Sequence, residues 1–122
     1  MAIFSDSAWS DMTPAVWYAR NVAESLHREL FRRELVVTSG RRPATPGGSS
    51  RHVTGNAMDI RSRDKSAHEE EEFARVLRER LGEDFDVIVE GPFAADPRYR
   101  NRTRHVHVEY DPKGRHAVMA DE

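Results

Sequence analysis

The sequence predicts an α+β fold, a small antiparallel sheet with two main helices packed against it. Two segments repeat apolar residues at helical spacing, four short runs read as strands, and glycine and proline punctuate the joins. With 38% hydrophobic and 33% charged residues, the 122-residue chain suits one domain, residues 1–122, with its core at about 13–112. Such a composition implies a modest core beneath a strongly solvated surface.

Thr13 is placed to cap the first helix and Pro14 to occupy its first position. Val16, Ala19, Val22, Ala23, Leu26 and Leu30 then recur on one face, to about Arg33. Trp17 on this helix is assigned to core packing, whereas Trp9 could line a cleft. Leu35 to Thr38 reads as a short strand, and 39–50, with two prolines and three glycines, as a loop. Asn56 to Arg61 is a second strand. Ser66 caps a second helix with Phe73, Val76, Leu77 and Leu81 as its apolar face, ended by Gly82. Glu69 to Glu72 reads as a solvated face near the favourable N-terminal end of that helix. Asp86 to Glu90 and His105 to Tyr110 are the last strands, separated by a loop rich in arginine and proline.

A net charge of −2 gives no basis for general binding to nucleic acid or acidic membranes. No run approaches the ~20 apolar residues needed to span a bilayer. The first residues lack the basic start and apolar core of a signal peptide, so synthesis in the cytoplasm is expected. A monomer is expected. The chain has no cysteine, which leaves only nitrogen and oxygen donors for any metal.

Such donors concentrate in two places. His52 and Asp59 stand seven positions apart around the small residues Gly55 and Ala57, which let the backbone pass close to a metal or substrate. Asp59 lies between Met58 and Ile60, and a charge in so apolar a run is costly unless it is paired or metal-bound. His105 and His107 form a His-x-His pair downstream. Three protein ligands with an open fourth position are the arrangement of a catalytic zinc site. His27, His68 and His116 lack partner spacing and read as solvated.

The segment Ser50-x-His52-x-x-Gly55-x-Ala57-x-Asp59, taken with His105-Val106-His107, resembles the signature of the zinc D-alanyl-D-alanine metallopeptidases. That group includes lysostaphin-type endopeptidases and the signalling domain of hedgehog proteins. The resemblance covers about Val36 to Tyr110. It implies zinc as cofactor, with His52, Asp59 and His107 as its ligands. Thr38-Ser39-Gly40-Arg41-Arg42 is similar to the family's Ser-Gly-Tyr-Arg segment and places Arg42 at the substrate-binding arginine. Ser50 belongs to the same motif and, like Glu109, is assigned to support a ligand rather than to bind the metal. The implied substrate is a peptidoglycan stem peptide, cut by a phage-type cell-wall peptidase delivered by phage lysis or within a virion. One position departs from the pattern. Many members carry an acidic general base three residues before the last zinc histidine, where this chain has Arg104.

Strand alternation puts His105, His107 and Glu109 on one face and Val106, Val108 and Tyr110 on the other. If the strand ending at Glu90 pairs beside them, Glu90 falls near His105. Glu90 is then the first candidate for the missing base and His105 the second. Alternatively, Glu90 is a strand-end carboxylate paired with Arg102 or Arg104. Two functions remain open. One is zinc-dependent hydrolysis of a stem peptide, with zinc and a base activating water and Arg42 holding a carboxylate or oxyanion. The other is a non-catalytic, zinc-stabilised binding domain of the same fold.

Overall fold

A computed structural model describes residues 3–4, 12–39 and 56–112. The elements run β1 (Ile3–Phe4), α1 (Pro14–Phe31), β2 (Val36–Ser39), β3 (Ala57–Arg61), α2 (Ala67–Leu81), β4 (Phe85–Glu90) and β5 (His105–Tyr110). A 3-10 turn at Pro97–Tyr99 interrupts the loop before β5. The sheet order is β1-β2-β3-β5-β4. The pairs β2–β3, β3–β5 and β5–β4 are antiparallel, and two-residue β1 joins β2 in parallel. The chain is thus α+β, as its pattern predicts.

Pro14 opens α1 with Thr13 at the cap position, but the Thr13 hydroxyl does not cap. It donates instead to Asn56 Oδ1 at 2.9 Å, tying the helix start to the residue before β3. Arg32, in the left-handed region at φ 55°, stops the helix one or two residues before the expected end. Ser66 and Glu69 form a reciprocal capping box on α2, each side chain accepting from the other's backbone N–H.

One apolar cluster joins Val16, Ala19, Ala23 and Leu26 of α1 to Phe73, Leu77 and Leu81 of α2. The strands meet it with Val37, Met58, Ile60, Val87, Val106 and Val108. Each fully buried aliphatic side chain contributes roughly 1.5–3 kcal/mol. Because these are alternate strand residues, the helices cover one face and the intervening side chains lie on the other. Ala57 and Asp59 belong to that second face and are nonetheless buried.

Three single-residue expectations on the helices are corrected. His27 is not solvated but 1% exposed. It lies edge-on to Phe31 and Phe73, and its Nδ1–H donates to the Arg33 carbonyl at 2.8 Å, which the chain reversal after α1 brings within reach. Trp17 is not in the core: it is 37% exposed with the Arg20 guanidinium over its ring, because Val16 takes the inward position beside it. Glu70 is not part of a solvated face. It is 1% exposed and accepts from Arg104 Nε at 3.1 Å and from the Ser62 hydroxyl. His68, by contrast, is exposed.

Candidate metal centre on the sheet

Strand register assembles the site. Asp59 of β3 is the Cα partner of His107, and Arg61 is the partner of His105. On the other side of β5, His105 faces Glu90, His107 faces Ile88 and Glu109 faces Asp86. The face away from the helices therefore carries successive cross-strand rows: Arg61–His105–Glu90, Asp59–His107–Ile88 and Ala57–Glu109–Asp86.

The side chains of the first two rows converge. Asp59 Oδ1 lies 2.9 Å from His107 Nδ1 and 3.4 Å from His105 Nε2. One donor atom from each of Asp59, His105 and His107 falls within 4.8 Å of the others. This largely buried Asp-His-His group could hold a metal ion. Its donors are the nitrogen and oxygen types that suit a borderline cation. His107 Nε2 lies 2.8 Å from Glu109 Oε1. A carboxylate there fixes the ring through Nε2–H, so that a cation bound at Nδ1 would take the place of the proton that Nδ1 shares with Asp59.

Glu90 is 5% exposed, and its Oε1 accepts from Arg102 Nη1 at 3.2 Å and sits 3.2 Å from His105 Nε2. Burial works against the Glu90 anion, but the hydrogen bonds from His105 and Arg102 outweigh it and hold the carboxyl below its ordinary value. Burial likewise opposes charge on both histidines and is again outweighed. The Glu90 hydrogen bond, with the charges of Asp59 and Glu90, raises His105; Asp59 and Glu109 together raise His107.

Arg104 leaves the site. It precedes His105, so strand alternation turns it toward the helices with Val106. There its Nε meets Glu70 and its Nη2 donates to the Lys65 carbonyl at 2.6 Å, while the guanidinium stacks 4.6 Å over Phe93. Gly91, at φ 113°, lets the turn after Glu90 press against Arg104. A Cβ there would come within 2.8 Å of Arg104 Cα.

Among the sequence-derived site residues, Asp59, His107, His105, Glu90 and Glu109 lie together on this face, with Arg102 as the partner of Glu90. His52, Arg42 and Ser50 lie outside the described residues, as do Trp9 and His116. Two features escaped the sequence. His105 is close enough to Asp59 to serve as a ligand as well as a proton acceptor. Arg61 shares the face with Asp59 by simple two-residue alternation, a signal present in the sequence. A cleft of about 710 Å³ opens elsewhere, between α2, β4 and the following loop. None of Asp59, His105 and His107 lines it. No protein-family model and no curated protein matches this chain.

Proposed function

We propose that the chain is a zinc-dependent hydrolase of a peptide bond in peptidoglycan stem peptides. The observation that supports this most is the convergence of Asp59, His105 and His107 on one sheet face, with Asp59 only 7% exposed. A carboxylate so buried is costly without paired donors or a cation. Asp59 and His107 are the proposed zinc ligands, with His52 as the third from the motif; His105 stays outside the ligand set, its Nε2 facing Glu90. Zinc suits nitrogen and oxygen donors, and when bound it supplies Lewis acidity to polarise a carbonyl and ease loss of a proton from water.

The chain's own groups supply the rest. Glu109 holds the His107 ring through Nε2 and so aims Nδ1 at Asp59, where a cation would replace the Nδ1 proton. Arg102 keeps Glu90 anionic. Glu90 is the proposed general base, and His105, 3.2 Å from it, is positioned to relay a proton between the centre and that carboxylate. Incubating zinc-loaded and zinc-stripped protein with muropeptides, and reading the products by mass spectrometry, tests the proposal. Zinc-dependent loss of a residue or cleavage within the stem peptide is expected.

The second reading is a non-catalytic zinc-stabilised binding domain. Arg104 favours it, since the position that is acidic in the family it resembles is here committed to Glu70. Zinc that raises the melting temperature while every muropeptide stays intact would select this reading.

A further inference from the structure

β4 ends the sheet opposite β1, so one of its edges has no neighbouring strand. Which backbone groups that edge presents follows from parity. The Asp111 N–H donates to the Asp84 carbonyl, so Asp86, Ile88 and Glu90 also turn their backbone groups toward β5. Phe85, Val87 and Val89 turn theirs outward. Parts of this outward row are already engaged. The Phe85 N–H donates to the Gly82 carbonyl, Arg78 Nη2 donates to the Val87 carbonyl at 2.8 Å, and the Gly91 N–H donates to the Tyr99 carbonyl. Beside the 710 Å³ cleft, the Val87 N–H and both backbone groups of Val89 meet no partner among the described residues. Val87, Ile88 and Val89 all belong to the lining of that cleft.

We propose that this cleft binds an extended, basic segment of a partner protein, which adds to the sheet as a further strand beside β4. An N–H and a C=O offered by one residue match the C=O and N–H of a single residue on an antiparallel strand. An open edge of this kind is the usual template for strand addition, and here Arg78 and the Gly91 bond confine it to a short stretch. The walls suit apolar side chains. Ala67 and Ala74 of α2 leave room on one side, and Phe93, 52% exposed, stands in the loop on the other. Charge selects among segments. Glu70 is engaged by Arg104 and Asp96 by Arg98, whereas Glu71, exposed at the cleft wall, has no ion-pair partner among the described residues. The segment therefore carries a lysine or arginine to meet Glu71, between apolar residues. Asp59, His105 and His107 do not line the cleft, so the bound segment is not a chain to be hydrolysed and the inference stands apart from the hydrolase reading.

The probe is acetyl-Val-Lys-Val-Thr-Val-amide, titrated into the full chain while backbone amide NMR shifts and hydrogen exchange are followed. Two controls accompany it, the same peptide methylated at every backbone nitrogen and one with glutamate in place of lysine. The Val87 and Val89 amides should shift and, at saturation, exchange about tenfold or more slowly, while Gly91, already bonded to Tyr99, changes little. Each control should bind about tenfold or more weakly than the probe. Glu71→Lys should reverse the preference between the lysine and glutamate peptides, and Ala74→Trp should block both. Unshifted Val87 and Val89 amides overturn the proposal, as does equal binding of the methylated peptide or a lysine preference that survives in Glu71→Lys. Slow exchange of Val87 and Val89 in the free protein overturns it too. If deletion of residues 113–122 abolishes that protection, the edge belongs to the chain's own tail; if dilution does, it belongs to a second copy. The comparison of peptides on the wild-type chain decides the matter even if a variant fails to fold.

Discussion

Glu90 and His105 are direct partners across the β4–β5 ladder, with Oε1 and Nε2 3.2 Å apart, and the same imidazole nitrogen lies 3.4 Å from Asp59. A buried carboxylate is thus linked through one ring to the candidate metal centre. The proton of this pair is favoured on His105, whose pKa is raised by Glu90, while His105 and Arg102 hold Glu90 as the anion.

Glu90→Gln separates binding from chemistry. Gln keeps the shape and can still meet His105, but it cannot take a proton. If the chain is a peptidase, turnover on a muropeptide falls by roughly 100-fold or more, while zinc content is unchanged. Wild-type turnover in Glu90→Gln removes this residue as the base, and His105→Ala then becomes the test of the second candidate.

The Arg104–Glu70 pair makes a prediction about stability. Glu70 is 1% exposed, so removing Arg104 leaves a buried carboxylate with no countercharge and only the Ser62 hydroxyl to donate to it. Arg104→Ala should cost about 3 kcal/mol or more in urea unfolding, and pairing it with Glu70→Leu should recover much of the loss. A cost below about 1 kcal/mol, the usual worth of a surface ion pair, would mean that the pair does not anchor the β5 entry.

His27 sets a pH dependence of known sign. Burial is the main influence and holds its pKa below 6.5 despite the bond to the Arg33 carbonyl. The unfolded chain therefore takes up the proton first as pH falls. The stability that His27 contributes is complete above about pH 6.5 and is lost as pH drops through the lower folded value. His27→Gln should be less stable than wild type at pH 7.5, by roughly 1 kcal/mol or more, with the gap narrowing by pH 5. Denaturant curves in EDTA measure this, and a gap that widens on acidification contradicts it.

The sequence made the strand faces legible because alternation needs only a period of two. His105, His107 and Glu109 separate from Val106 and Val108 on that basis alone. The same parity rule would have turned Arg104 away from the site and placed Arg61 in it. Partnerships between distant residues were harder to read. Asp59 and His107 are 48 residues apart and Glu70 and Arg104 are 34 apart, so their meeting depends on sheet register and on how α2 docks. The helix errors have a related cause. Val16 and Trp17, or Glu69 and Glu70, differ by one position, and which one points inward depends on the helix's rotation against the sheet.

The central claim is that Asp59 and His107 hold a metal ion. Elemental analysis after equilibrium dialysis against zinc tests it most directly. Wild-type protein should carry about one zinc, and Asp59→Ala and His107→Ala should each lose it, since three protein ligands are the usual set for an open site. Bound histidine must be unprotonated, and both His105 and His107 titrate above the ordinary value of 6.5 in the metal-free protein. Occupancy should therefore begin to fall while the pH is still above 6.5. Full zinc in the His107→Ala protein, or none in the wild type at neutral pH, would contradict the account.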